Sequence, residues 1–154
     1  MSNFSAAIHQ NPTHTLITLS GTLSEDSILP DIDPKLPATL NFNKVSRINS
    51  RGIKIWYTWI ARFKDPMRIR LQECPAIVIK SFNLVKGCFP AIVQVDSFYV
   101  PVFSEITGER KDVLLTRGKE FDSAKVTVPE QKDSKGNLME VDVHDSYWAF
   151  LKLS

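Results

Sequence analysis

A strand pattern runs directly into an amphipathic helix pattern between Ala38 and Phe63, and this pair of patterns restricts the fold more than any other feature. The stretch ATLNFN, at 38–43, has the composition of a strand, and a polar loop follows it. The apolar residues then recur with the 3.6-residue period of a helix that buries one face. They are Ile53, Trp56, Trp59, Ile60 and Phe63. A helix is therefore expected that ends by Asp65-Pro66 and covers a sheet.

Further strand and helix patterns lie on both sides of this unit. THTLITLSGTL, at 13–23, predicts a strand that closes on Gly21, and the proline-rich stretch 24–37 leaves room only for a short helix near Ser24. MRIRLQEC, at 67–74, alternates apolar and polar residues like a half-buried strand. PAIVIKSFNLVKGCF predicts a helix that ends at Lys86-Gly87, and AIVQVDSFYVPVF predicts one strand. The order β-β-α-β-α-β predicts an α/β fold with a partly parallel sheet and helical crossovers.

The chain changes character after Phe103. The short apolar segments DVLLT, AKVTV and LMEVDV are separated by polar turns with glycines, which is typical of short antiparallel strands. The closing SYWAFLKL is aromatic and is expected to dock on the rest of the protein. We therefore predict an α/β domain over 1–103 and an antiparallel β-ribbon appendage over 104–154.

Composition limits the class of protein. With 154 residues and 43% hydrophobic residues, the chain can form a single core, with or without an appendage. The net charge of +2 gives no general reason to expect nucleic acid. No apolar run approaches the roughly 20 residues of a membrane span, and no leader pattern opens the chain, so a cytoplasmic protein is expected. Cys74 and Cys88 lack CxxC spacing and are interpreted as structural thiols.

The sequence carries no pattern for metal, cofactor or nucleophilic chemistry. The three histidines, His9, His14 and His144, are scattered, and neither a zinc spacing nor a phosphate-binding glycine loop occurs. The stretch NSRG around Ser50 is not a nucleophile elbow, and no histidine can be placed beside it. We therefore expect a protein without catalytic activity, metal or cofactor.

Ser50 stands where the predicted helix begins. A phosphate there, with a charge of about −2, would meet the free N–H groups of the helix start, with Arg47 and Arg51 close in sequence. The alternative is that Asn49 or Ser50 only caps the helix, which is worth about 1 kcal/mol. Both interpretations stay open at this level.

Basic residues are in excess between Lys44 and Lys80. Nine positive residues stand there against Asp65 and Glu73. The positive residues are Lys44, Arg47, Arg51, Lys54, Arg62, Lys64, Arg68, Arg70 and Lys80. They form either an anion-binding face or the solvated side of one helix and one strand. No ladder of aromatic residues accompanies them, so RNA is not expected.

Together, LITLSGTL, ATLNFNKVSRINSRGIKIW and MRIRLQECPAIVIKSFNLV resemble the STAS domain, the sulfate transporter and anti-sigma-factor antagonist family. The resemblance covers about Thr15 to Val102. It implies a small mixed sheet with helices on one face and, as in well-known bacterial members, a non-enzymatic protein whose motif serine is phosphorylated by a partner kinase. Carried over by position, Ser50 is the phosphoacceptor and Gly52 the motif glycine. Asn43 and Asn49 stand where aspartates are usual, which leaves the site less acidic.

A narrower bacterial subgroup is similar over INSRGIKIW, ECPAIVIKSFNLV, VDSFYVPVF and the tail VDVHDSYWAFL. In that subgroup the chain continues into a zinc-ribbon-like insert with two CxxC pairs. Here Ser104 and Thr107 take the place of the first pair, and the polar VPEQKDSKGNLME takes that of the second. The resemblance therefore implies a β-ribbon without zinc, held by packing and hydrogen bonds.

These observations favour a non-catalytic, STAS-like interaction module in bacterial signalling. Its protein partner, a kinase or another regulator such as an anti-sigma-like protein, is expected to contact the helix start. The residues of this face are Arg47, Asn49, Ser50, Arg51, Gly52 and Lys54. One alternative is a module that binds a nucleotide or another phosphorylated small molecule there. Another is a structural homodimer that buries Trp148 and Phe150.

Overall fold

A five-stranded mixed sheet forms the centre of the protein, which we describe from a computed structural model over residues 3–151. Its strands are β1 (Ser5–Gln10), β2 (Thr15–Leu23), β3 (Ala38–Ile48), β4 (Ile69–Gln72) and β5 (Val93–Val95). The helices are α1 (Ser50–Ile60), between β3 and β4, and α2 (Ala76–Asn83), between β4 and β5. The strand order is β1-β2-β3-β4-β5, in which β1 is antiparallel to β2 and the other pairs are parallel. This confirms the predicted α/β class and the parallel pairing.

Both helices lie on the same face of this sheet. Each crossover moves one strand further in the same direction, and right-handed crossovers of that kind place their helices on one side. The aromatic contacts agree: the ring of Phe42 on β3 lies 5.5 Å from Trp56 on α1 and 5.9 Å from Phe82 on α2. Trp56 also stacks on Phe82 at 5.0 Å. One strand and both helices therefore share one aromatic core.

The sequence periodicity accounts for the buried faces. All five apolar residues of the predicted helix stripe are buried, and Ile69 and Leu71 of β4 point into the core while Arg70 points to solvent. This alternation confirms the prediction for the segment around β4, although Met67 is buried outside the strand. The periodicity is reliable here because each element has one covered face and one open face.

Several predicted boundaries were wrong. The first strand does not close on Gly21 but continues through a register shift to Leu23, and β3 runs on to Ile48. No helix forms near Ser24: the N–H of Ser27 bonds the carbonyl of Ser24 at 3.0 Å in a turn. The second helix ends at Asn83, earlier than expected. β1 was not predicted at all.

A second, antiparallel sheet follows, with the order β7-β6-β8. Its strands are β6 (Ser97–Phe103), β7 (Arg110–Thr116) and β8 (Glu140–Val141). The single strand predicted over 91–103 is therefore two strands, β5 and β6, which belong to different sheets and separate at Asp96. The predicted strand AKVTV is also wrong, because only an isolated bridge between Phe121 and Val126 forms there. The division of the chain at residue 103 stays a prediction, although the second sheet begins at Ser97.

The aromatic closing segment docks as expected. It forms a 3₁₀ helix, Asp145–Leu151, in which the Phe150 ring lies 4.9 Å from Phe98 of β6. The hydroxyl of Tyr147 donates a 2.5 Å hydrogen bond to the carbonyl of Tyr99. The predicted tail residues 152–154 lie outside the described residues. Among residues 3–151, none of the helices is long and apolar enough to cross a membrane.

Candidate functional site

The start of α1 separates the roles of Asn49 and Ser50. Asn49 lies between β3 and α1 in an extended conformation, and its side-chain oxygen accepts a 2.8 Å hydrogen bond from the N–H of Gly52. It is therefore the N-cap of the helix. Ser50 is the first helical residue, and its exposed hydroxyl has no hydrogen-bond partner in the described part of the chain. Of the two open interpretations, capping belongs to Asn49 alone.

This division of roles can be measured. We expect Asn49→Ala to lower the free energy of unfolding by about 1 kcal/mol, because the cap to Gly52 is lost. Ser50→Ala should change it by less than about 0.5 kcal/mol, because the Ser50 hydroxyl makes no hydrogen bond to the residues that the structure describes. Urea denaturation of both variants gives the comparison. An equal cost for the two variants would contradict the assignment of the cap.

Gly52 fixes the helix start against the end of β2. A Cβ atom at this position would lie 2.0 Å from the carbonyl oxygen of Leu23 and 2.5 Å from its carbonyl carbon. The same oxygen accepts the N–H of Asn49 at 3.2 Å. Only a glycine permits this approach, so backbone packing requires a glycine at position 52. The exposed Ser50 hydroxyl is thereby held at a fixed place on the surface.

The charged residues around Ser50 are mostly unpaired. Arg47, Arg51 and Lys54 are exposed and form no ion pair within residues 3–151. One acidic residue contacts the helix start. The carboxylate of Glu25 accepts a 3.1 Å hydrogen bond from the side-chain nitrogen of Asn49. The pKa of Glu25 is lowered by a backbone hydrogen bond first, then by the Asn49 amide and the charge of Arg51. Sequence reasoning missed Glu25, and only its place in the acidic loop before β3 could have suggested it.

Three of the nine cations in the long basic stretch have acidic partners. Arg62 pairs with Asp31 at 2.8 Å, Arg68 pairs with Asp65, and Arg70 lies 3.7 Å from Asp96. These three cations belong to structural ion pairs. The cations that remain available at the helix start are Arg47, Arg51 and Lys54.

An open cleft of about 360 Å³ adjoins the helix start. Its lining includes Arg47 and Asn49, and Ile77 of α2 forms part of its wall.

The histidines of the first hairpin lie far from Ser50. His14 precedes β2, and His9 pairs with Leu16 near the beginning of that strand. Ser50 lies near the opposite end of β2, roughly 25–30 Å away at about 3.3 Å per strand residue.

The appendage brings the predicted zinc-ribbon positions together without cysteines. The hydroxyl of Ser104 donates a 2.6 Å hydrogen bond to the buried carboxylate of Asp133, and the hydroxyl of Thr107 donates to the same oxygen at 3.2 Å. The other oxygen accepts the N–H groups of Lys135 and Asn137, both at 2.9 Å. One carboxylate therefore joins the two turns. Among the described residues there is no cluster of three histidines, cysteines or acids that could hold a metal ion.

This carboxylate predicts a pH dependence. The hydroxyl of Ser104 and then the backbone N–H groups lower the pKa of Asp133 well below its ordinary value. A folded-state pKa below the unfolded one gives stability above the unfolded pKa, about 3.9, which is lost as the pH falls further. Asp133→Ala should therefore lower the Tm more at pH 7 than at pH 3, where part of the stabilisation is already lost, and the difference should vanish only below the folded-state pKa.

Thermal unfolding at both pH values tests this, with Asp112→Ala as the control. Asp112 is an exposed carboxylate on β7 that accepts no hydrogen bond in the described part of the chain. Its removal should leave the Tm nearly unchanged. A constant Tm difference between wild type and Asp133→Ala across this pH range would contradict the role of the ionised carboxylate.

The two tail residues of the homodimer alternative differ in exposure, because Phe150 is buried and Trp148 is only half-buried. Phe150 is buried within its own chain against Phe89 and Phe98, and Trp148 packs on Tyr147. The side chain of Asn83 on α2 further fixes the segment by donating to the carbonyl of Tyr147 at 3.0 Å.

Comparison with protein-family models and with curated proteins found no match to this chain.

Proposed function

We propose that the protein is a non-catalytic, STAS-like interaction module in bacterial signalling, with Ser50 as a phosphorylation switch on its partner face. The carrying observation is the free, exposed hydroxyl of Ser50 at the first position of α1, where Asn49 already supplies the cap. The Ser50 hydroxyl makes no hydrogen bond to the described residues, so its phosphorylation would not break an intramolecular contact. The partner is a protein regulator, such as a kinase or an anti-sigma-like protein, and we place both in the cytoplasm.

The charges explain how such a switch works. Arg47, Arg51 and Lys54 make this end of α1 basic. Among residues 3–151 they form no ion pair, which leaves them open to an acidic partner. A phosphate adds about two negative charges beside the positive end of the helix dipole and the neighbouring guanidinium groups. The same surface then changes from basic to nearly neutral. A partner that reads this charge can tell the two states apart.

The experiment compares partner binding by wild type, Ser50→Ala and Ser50→Asp. Proteins captured from the native cell are quantified by mass spectrometry, and the same measurement locates phosphate on the purified protein. Thr58→Asp is the matched control, because Thr58 is an exposed hydroxyl residue on the same helix outside the switch. We expect Ser50→Asp to change the captured set and Thr58→Asp to leave it as in wild type. Identical sets for all four proteins would contradict the switch.

A second candidate function is supported by the cleft beside Arg47. This cleft of about 360 Å³ has space for a small anionic molecule, such as a nucleotide, between the ends of the strands and Ile77. A ligand that binds the folded state raises the Tm by mass action, so a thermal-shift series with nucleotides tests it. Loss of any shift in Arg47→Ala would assign the ligand to this cleft. No shift with wild type would leave the protein-interaction proposal in place.

A further inference from the structure

The hairpin formed by β1 and β2 contains no Asp, Glu, Lys or Arg. The first 24 residues of the chain contain no Asp, Glu, Lys or Arg, whereas 23% of the whole chain is charged. The two strands of the hairpin form the outer side of the five-stranded sheet, and β1 is its edge. In the outer strand, SAAIHQ, Ala6 is the one half-buried residue and the others are exposed. Ile8 on this strand is 48% exposed.

An edge of this kind is unusual in a protein that stays monomeric. Half of the N–H and C=O groups of an edge strand point away from its neighbour and can pair with another chain. Natural proteins oppose such pairing with charged residues, prolines or covering elements. β1 has no charge and no proline, and within residues 3–151 it pairs only with β2.

Two of the other sheet edges, β7 and β5, show protection that β1 lacks. The edge strand β7 begins with Arg110, Lys111 and Asp112. At β5, the guanidinium group of Arg117 donates to the carbonyl of Val95 at 3.0 and 2.8 Å, which occupies an outward-pointing acceptor. β1 therefore lacks the protection that these two edges have.

We propose that β1 is the interface to a second copy of this chain, with β1 of each copy paired antiparallel about a two-fold axis at Ile8. Opposed residues in an antiparallel pair share a face of the sheet, so the axis passes through a residue and not between two residues. An axis at Ile8 sets Ile8 against Ile8 of the second copy, Ala7 against His9, and Ala6 against Gln10. No acidic or basic residue meets another in this pairing. The two five-stranded sheets become one continuous sheet.

Ile8 explains the choice of register. It pairs with Ile17 of β2 and so lies on the helix-covered face, but it is half exposed at the sheet edge. The Cβ atoms of directly opposed residues are about 4.5–5.5 Å apart, so the two Ile8 side chains would shield each other from water. The same register makes the centre of the interface sensitive to charge, because like charges placed there would face each other directly.

Charge substitutions at Ile8 test the pairing. Multi-angle light scattering should give wild type at high concentration the mass of two 17.4 kDa chains. Ile8→Lys and Ile8→Glu should each give the mass of one chain. An equimolar mixture of the two should regain the mass of two chains, because Lys and Glu then face each other. Circular dichroism and Tm show whether each variant is folded, and Leu84→Lys, at an 81% exposed site on the C-cap of α2, should behave as wild type.

Three results would overturn the proposal. The first is the mass of a single chain for wild type at every concentration. The second is a dimer that persists in folded Ile8→Lys and Ile8→Glu. The third is a mixture of the two folded variants that stays monomeric, which would exclude the pairing centred on Ile8. None of these results depends on the state of Ser50.

Discussion

Trp56→Ala is expected to lower the free energy of unfolding by about 4 kcal/mol, within the range of 3–5 measured for large aromatic residues in cores. The Trp56 side chain is fully buried and stacks on Phe82 with the ring planes 9° apart. Phe42 and Trp59 contact its other sides. The variant therefore creates a cavity between both helices and the sheet. Because a domain of this size is stable by about 5–15 kcal/mol, much of the folded population would be lost on warming.

Urea denaturation with intermediate and control variants separates the contributions to this cost. Trp56→Phe keeps most of the ring volume but removes the indole N–H that donates to the carbonyl of Cys88 at 2.9 Å. Its cost should be smaller, about 1–3 kcal/mol, because a buried acceptor is left unpaired. Leu84→Ala, at an exposed site, should cost less than about 0.5 kcal/mol. A cost below about 1 kcal/mol for Trp56→Ala would contradict the packed core described above.

Gly52→Ala is expected to destabilise the protein by about 3 kcal/mol, although alanine is the better helix former by about 1 kcal/mol. The added Cβ would lie 2.0 Å from the oxygen and 2.5 Å from the carbon of the Leu23 carbonyl. Both are backbone atoms of β2, which cannot rotate away as a side chain can. The start of α1 must move, and the cap from Asn49 to Gly52 is then disturbed as well.

A second alanine variant on the same helix is expected to change the stability in the opposite direction. Thr58→Ala, at an exposed position of the same helix, should stabilise the protein by about 0.5 kcal/mol through helix propensity alone. Denaturation curves of the two alanine variants should therefore shift in opposite directions. A stabilising Gly52→Ala would show that the helix start is not pinned to the end of β2. The proposed partner binding at Ser50 should weaken in Gly52→Ala for the same geometric reason.

Sequence patterns predicted the core elements well where one face is buried. The stripe from Ile53 to Phe63 was correct residue by residue, because helix periodicity depends only on which neighbours share a face. β1 was missed because SAAIHQ has only one β-branched residue, so its strand conformation depends on the pairing with β2. The stretch 91–103 reads as one strand, but it divides at Asp96, whose N–H bonds the carbonyl of Leu71 on β4. The polar residues Asp96 and Ser97 mark the break in the sequence, but the sheet that each half joins depends on contacts with distant segments.

At the candidate site, too, adjacent residues were predictable from the sequence and long-range contacts were not. The sequence alone determined that a helix starts at NSRG, that a capping residue stands there and that the flanking residues are basic, because these are properties of adjacent residues. Only the tertiary structure decided that Asn49 caps while the hydroxyl of Ser50 stays free. It also decided that Gly52 meets Leu23 and that Asp133 bridges Ser104 and Thr107. Those contacts join segments distant in sequence, so they exist only once the strands and helices have packed together.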